Sequence, residues 1–265
     1  MKQNKYCLIT GATSGIGYEL AKLFAGDGYN LVIAARNQKE LNTSASEFKL
    51  KGVEVIPIVK DLFERNAAFE LFDEIQSKGI TIDVLVNDAG QGQYGEFTDT
   101  DISRELDIIQ LNIASLVILT KKFLQQMVAR GEGKILNLSS VASKIPGPLQ
   151  SVYHGTKAFV QSFTEAVREE VKEKGVTITA LLPGATATDF FNKAEMLEAK
   201  NIKGKELDDP AKVARDGYEA LMRGDDMVIS GFANKMQVGM SHVLSDSAVA
   251  SNVHKKQAPS NEKKS

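Results

Sequence analysis

Residues 5–17, Lys5-Tyr6-Cys7-Leu8-Ile9-Thr10-Gly11-Ala12-Thr13-Ser14-Gly15-Ile16-Gly17, decide the fold. Residues 5–9 read as a short buried strand. Helical periodicity follows at once, with Ile16, Leu20, Leu23 and Phe24 on one stripe. A glycine motif gains meaning when it joins a strand to a helix start. Gly11 permits a tight turn, Gly15 lets the backbone approach a pyrophosphate, and Gly17 lets the helix lie close to a sheet. Unpaired amides at the helix start would face the anion. The stretch predicts the first βαβ unit of a dinucleotide-binding domain.

Outward from it, apolar runs alternate with helical patterns. Candidate strands are 5–9, 30–35, 53–58, 82–87, 133–139, 176–182 and 227–230; candidate helices are 15–27, 37–50, 62–78, 101–130, 152–174, 188–198 and 210–223. Strands separated by helices imply right-handed crossovers. The predicted fold is α/β: a single doubly wound, Rossmann-type domain with about seven parallel strands and helices on both faces. Ligands bind such sheets at the carboxyl ends of the strands. Gly11, Arg36, Asp61, Asn87, Ser140 and Pro183 each follow a different predicted strand, so one sheet edge collects them. After the second strand, the position that holds a carboxylate in many NAD enzymes is Ala35, with Arg36 beside it. A guanidinium there binds a 2′-phosphate in a fork geometry, so NADP(H) is expected over NAD(H).

Tyr153 and Lys157 stand four residues apart in YHGTK, on one face of a predicted helix, with Ser140 thirteen residues before the tyrosine. A free phenol has a pKa near ~10; lowering it to about 7 needs roughly 4 kcal/mol of differential stabilisation. A close ammonium in a partly desolvated cleft, helped by a bound cationic ring, is of that order. A serine hydroxyl reaching the same point polarises a carbonyl. Packing for the tyrosine and solvation for the lysine would be the ordinary reading of either residue alone. His154 should point about 100° away from Tyr153 and play a structural part.

Taken together, TGATSGIG, Asp61-Leu62, NDAG at Asn87 to Gly90, Asn112, Ser140 in NLSS, YHGTK and PGATAT at Pro183 to Thr188 resemble the classical short-chain dehydrogenase/reductase family over about residues 6–188. The resemblance implies an oxidoreductase that interconverts a ketone or aldehyde and an alcohol by hydride transfer with a nicotinamide cofactor, and the choice of NADP(H) rests on Arg36 alone. It implies Tyr153 as the acid/base, Lys157 on the nicotinamide ribose and lowering the tyrosine pKa, Ser140 on the substrate oxygen, and Asn112 holding a helix kink and a water. Gly11, Thr13, Ser14, Gly15, Ile16 and Gly17 would hold the pyrophosphate. Asp61 and Leu62 would contact the adenine, and Asn87, Ala89 and Gly90 its ribose side. Pro183, Gly184, Thr186 and Thr188 would hold the nicotinamide end. It also implies a homodimer through helices 101–130 and 152–174.

Three departures stand out. Asp88 replaces the second Asn of the family's frequent NNAG, with a modest effect expected at the strand's exit; Ser14 fills a slot often basic in NADP-preferring members; and MVISGFANKM near the end differs from the usual terminal strand of carrier-protein reductases. Reduction of a 3-oxoacyl thioester, on a carrier protein or CoA, is the alternative. It would draw on Lys193, Lys200, Lys203 and Lys205, among which Glu195, Glu198 and Glu206 are interleaved. A non-catalytic NADP(H) sensor is less favoured, because all four catalytic positions are present.

The domain is expected over 1–250. Within it, 188–209 (Phe190, Phe191, Met196, Leu197) forms a flap over the substrate, 140–150 the opposite wall, and 91–100 a third wall in which Tyr94 and Phe97 contact substrate or anchor the loop. Residues 235–250 read as a weakly amphipathic helix and 251–265 as a polar, disordered tail. A net charge of −2, with 43% hydrophobic and 25% charged residues, points to an ordinary globule without nucleic-acid partners. One cysteine excludes an internal disulfide, and with three scattered histidines no metal site is expected. The chain shows no signal pattern and no run near ~20 apolar residues, so a cytoplasmic protein acting on a small carbonyl or alcohol, with no membrane span, is expected.

Overall fold

Leu8 and Ile9 are adjacent, point to opposite sides of one strand, and are both fully buried. That pattern belongs to a parallel sheet covered on both faces. The computed structural model describes residues 5–241 and 245–260. Its strands are β1 (Tyr6–Thr10), β2 (Asn30–Ala35), β3 (Val55–Val59), β4 (Ile82–Asn87), β5 (Gly133–Leu138), β6 (Val176–Leu182) and β7 (Met227–Ile229). They form one seven-stranded sheet in the order β3-β2-β1-β4-β5-β6-β7, with every pairing parallel. The order reverses between β1 and β4, the switch point where such sheets bind ligands.

Helix α1 (Gly15–Gly26) and helix α2 (Gln38–Lys49) cover one face, where Phe24 and Phe48 pack with Ile9, Ile33 and Val86. Helix α3 (Ala67–Ser77), α4 (Ile102–Ile109) and α5 (Leu116–Arg130) follow in the chain. Leu71 and Ile75 of α3 and Phe123 and Met127 of α5 pack on the other face with Leu8, Leu85 and Ile178. Helix α6 (Ser151–Val171) carries the YHGTK run, and the short α7 (Phe190–Lys193) lies in the flap. Helix α8 (Pro210–Arg223) returns to the first face. Asp209 accepts from Ala211 N–H at its start, Pro210 opens it, and Gly224 closes it at φ 81°.

Local differences from the sequence expectation have physical causes. The helix expected over 101–130 is split by a π-helical stretch, Gln110–Ser115, between α4 and α5. The helix expected from 62 begins at Ala67, because the Asp61 carboxylate accepts from Phe63 N–H and holds a turn there. The flap helix stops at Lys193, ahead of Glu195 with its left-handed φ of 60°. The disordered tail expected over 251–265 is corrected for its described part. Residues 246–257 form α10 (Asp246–Gln257), preceded by α9 (Phe232–Ser241). Ser245 caps α10 by accepting from Ala248 N–H, Asp246 lies in its first turn, and His254, Lys255 and Lys256 lie in its last, matching the helix dipole. Backbone bonds then dock the following segment onto the flap: Lys200 N–H to Ala258 O at 3.1 Å and Ser260 N–H to Glu198 O at 2.9 Å. Residues 242–244, inside the helix expected over 235–250, and residues 261–265 lie outside the described residues.

Candidate active site

The glycine turn after β1 is built by close approach. Gly11 and Gly15 sit at φ +76° and +59°, a region that disfavours side chains. A Cβ on Gly15 would lie 2.8 Å from Thr188 Cγ2, and one on Gly17 would collide with the Asp88 carboxylate and the Gly11 carbonyl. Thr10 Oγ1 accepts from the backbone N–H groups of Asp88 and Ala89, both at 3.2 Å, tying the exit of β4 to that of β1.

Above this switch point opens a cavity of about 670 Å³. Its lining includes Gly11, Thr13, Ser14, Gly15 and Ile16 from the first turn, then Arg36, Asp61 and Leu62, then Ala89 and Gly90. The other half is lined by Ser140, Tyr153 and Lys157, and by Pro183, Gly184, Thr186 and Thr188. Three expected residues do not line it. Gly17 faces Asp88 from inside α1. The Asn87 amide is buried and donates to Thr120 Oγ1 (3.0 Å) and Asn137 Oδ1 (2.9 Å). Asn112, in the π-helical stretch, clamps the Gln91 backbone, donating to its carbonyl at 2.8 Å and accepting from its N–H at 3.0 Å.

Ser140 stands two residues beyond β5 and caps the short helical turn that follows; its hydroxyl accepts from Ala142 N–H at 3.1 Å and donates to Pro183 O at 3.4 Å. The same hydroxyl interacts with the Tyr153 phenol. Lys157 donates to Leu138 O at 2.8 Å and lies 5.9 Å from the centre of the Tyr153 ring. Desolvation governs the titrations here. It pushes the Tyr153 phenol up to about 12 against a small lowering by Ser140. It pushes the Lys157 ammonium down to about 8, opposed by attraction to Asp88. The expected lowering of the tyrosine by Lys157 is therefore not what this geometry produces, because the ammonium is turned to the Leu138 carbonyl. His154 is buried, with Nδ1 2.9 Å from Ile145 O, and its ring fills the space a Cβ on Gly147 would need.

Several features lay beyond the sequence reading. Asp88 is desolvated beneath the glycine turn, which pushes its carboxyl up to about 7 despite Lys157 and the Gly17 N–H. The signal was there, a carboxylate at the exit of an apolar strand, but its depth was not readable. The Arg36 guanidinium lies 4.8 Å over the Phe63 ring, and Arg104 stacks on the same ring at 5.4 Å. Phe190 of the flap packs on the Tyr153 ring at 5.0 Å, in space left by Gly92, where a Cβ would lie 2.9 Å from Phe190 and 3.3 Å from Tyr153. Tyr94 anchors its loop by donating to Gln257 O at 2.6 Å, whereas Phe97 is exposed.

The glycine cradle, the open end of α1 and the cation at the end of β2 fit a nicotinamide dinucleotide laid across the switch point. Among the described residues no group of three His, Cys, Asp or Glu side chains is placed to hold a metal, and no helix is long and apolar enough to cross a membrane.

Comparison with known proteins agrees with this geometry. The short chain dehydrogenase family model matches residues 5–198. The chain is 30% identical to dehydrogenase/reductase SDR family member 7B of Danio rerio over 86% of this chain and 78% of that one. It is 36% identical to the very-long-chain 3-oxoacyl-CoA reductase of Anas platyrhynchos over 69% and 60%. The chain thus spans about three-fifths to three-quarters of the length of the curated relatives it matches. A short-chain dehydrogenase from Sphingobium yanoikuyae, solved in complex with NADPH, superposes with a TM-score of 0.80 at 26% identity, covering 94% of this chain and 99% of the other. The chain belongs to the short-chain dehydrogenase/reductase family of oxidoreductases.

Proposed function

We propose that this protein is an NADP(H)-dependent reductase of ketones or aldehydes, working reversibly on the corresponding alcohols. The observation that carries the reading is the meeting of Ser140, Tyr153 and Lys157 on one wall of the cavity, beside the glycine turn. With its pKa raised to about 12, the phenol holds its proton at neutral pH, the state needed to donate to a carbonyl oxygen. The Ser140 hydroxyl orients that oxygen, and Lys157 places a donor next to the tyrosine. Asn112, through Gln91, and Thr156, which receives an Asn112 hydrogen bond at 3.0 Å, fix the backbone around the lysine. The bound nicotinamide supplies or accepts the hydride. Arg36, braced on Phe63, favours the 2′-phosphate of NADP(H), and the NADPH-bound neighbour supports the same choice.

Tyr153→Phe tests the mechanism. NADPH oxidation over a carbonyl panel should fall at least about 100-fold, while NADPH affinity, read by its fluorescence, stays within about threefold of the parent. Retained turnover would overturn the proposal. A 3-oxoacyl thioester is the second reading for the substrate, favoured by the resemblance to the Anas enzyme and tested by including 3-oxoacyl-CoA in the panel. The homodimer is kept in the proposal on a specific surface: Ile102, Leu106 and Ile109 of α4 and Phe159 of α6 are exposed apolar residues on two helices that touch. Light scattering at the monomer mass would remove it.

A further inference from the structure

The far wall of the cavity is closed by the chain's own C-terminal segment. Val253, Lys256 and Gln257, one face of α10, line the cavity together with Gln150, the residue just before α6. The segment is held at several points: Tyr94 OH donates to Gln257 O, Ala199 and Pro259 form an antiparallel bridge, and the backbone bonds to Lys200 and Glu198 flank it. The side chains within this closure are less well matched. Gln150 and Gln257 are each only 5% exposed. Gln257 Nε2 reaches Gln150 Oε1 at 3.4 Å, the long limit of a hydrogen bond. Gln150 Nε2 and Gln257 Oε1 have no partner at all. One buried donor and one buried acceptor are left unmet across a weak contact, and burial without a partner is costly.

We infer that the Gln150–Gln257 pair is a recognition element for a carboxamide-like group carried by the substrate beyond its reacting carbonyl. Such a group presents one acceptor, for Gln150 Nε2, and one donor, for Gln257 Oε1. Docking beside the two amides, it satisfies both unmet atoms while the long Gln257–Gln150 hydrogen bond is kept. Gln150 lies one helical turn from Tyr153, so the recognised group lies a few bonds from the carbonyl. Val253 and Ile202 supply apolar wall for the linker between them. The inference rests on the oxidoreductase reading of the same cavity and specifies its substrate class.

The test compares methyl ketones ending in a primary carboxamide with equal-length ketones ending in an isopropyl group, over a short series of spacers. In the parent enzyme, kcat/KM for the best amide should exceed that of its apolar match by about tenfold or more. In Gln257→Met and in Gln150→Leu that ratio should fall to within about twofold. A parent ratio near one, or variants that lose both substrates in proportion, would overturn the inference, the latter showing a merely structural role. Calorimetric binding of the same ketones to the NADP⁺-loaded protein repeats the comparison without chemistry. Absence of all turnover with a clear calorimetric preference for the amide would sink the reductase reading and leave the recognition element standing. Equal binding of the two ketones, with turnover intact, would sink the recognition element alone.

Discussion

Asp88→Asn should stabilise this protein, and more at high pH than at low. The Asp88 carboxyl, ordinarily near 3.8, is pushed up to about 7 by desolvation under the glycine turn. A folded protein that keeps a proton its unfolded chain releases loses stability as pH rises from 3.8 towards 7. The full penalty applies above about 7, where a shift of about 3 units corresponds to about 4 kcal/mol. At pH 5 only about a third of that penalty has accrued. Asp88 is half-buried, so about half of the penalty survives solvent screening: about 2 kcal/mol at pH 8.5 and about 1 kcal/mol or less at pH 5. An asparagine keeps an oxygen to accept from Gly17 N–H and carries no charge. The variant should therefore gain about 1 kcal/mol more at pH 8.5 than at pH 5, a difference of about 3 °C in Tm for a chain of this size. Urea and thermal unfolding at the two pH values measure it. Equal shifts at both, or destabilisation at pH 8.5, would refute the assignment of a desolvated carboxylate.

Arg36→Ala should weaken NADPH binding about 10–100-fold, the worth of charge-assisted hydrogen bonds, and leave NADH binding within about twofold; unchanged discrimination in a fluorescence titration would end the NADP assignment. Gly92→Ala places a methyl 2.9 Å from Phe190 and 3.3 Å from the Tyr153 ring, so kcat should drop about tenfold or more with cofactor affinity retained. Adding Phe190→Leu should restore part of that loss, and failure to do so would mean that the flap contact does not position the tyrosine. Gly17→Ala has no room against Asp88 and the Gly11 carbonyl, and should lower Tm and NADPH affinity together.

The sheet was legible because its central strands β1, β2 and β4 are buried on both faces and so read as largely apolar runs, bounded by turn residues. LITG and VLVN need no partner to declare themselves. Gly11, Arg36, Ser140 and Pro183 could be placed at one edge from strand order alone, since parallel topology sends every strand's carboxyl end the same way. What topology does not carry is depth. Asp88 was visible as an oddity, but its desolvation depends on Gly17 having no side chain, a contact between elements about 70 residues apart. Helix α10 escaped notice because only Val249 and Gln257 of its residues are buried, too few to leave a periodic stripe. Its position is set by backbone bonds to Lys200 and Glu198 that no side-chain pattern records.

Desolvation acts on three neighbouring groups in the direction of neutrality, yet not to equal effect. Tyr153, raised to about 12, is fixed in its acid form across the physiological range. Asp88 is pushed up and Lys157 pushed down by burial, and the attraction between them opposes both shifts. An anion entering at the glycine turn opposes the charged form of Asp88 and favours that of Lys157. An asparagine at position 88 would leave Lys157 without that attraction and lower its pKa further, so the aspartate in NDAG acts on Lys157 as well as on the strand's exit.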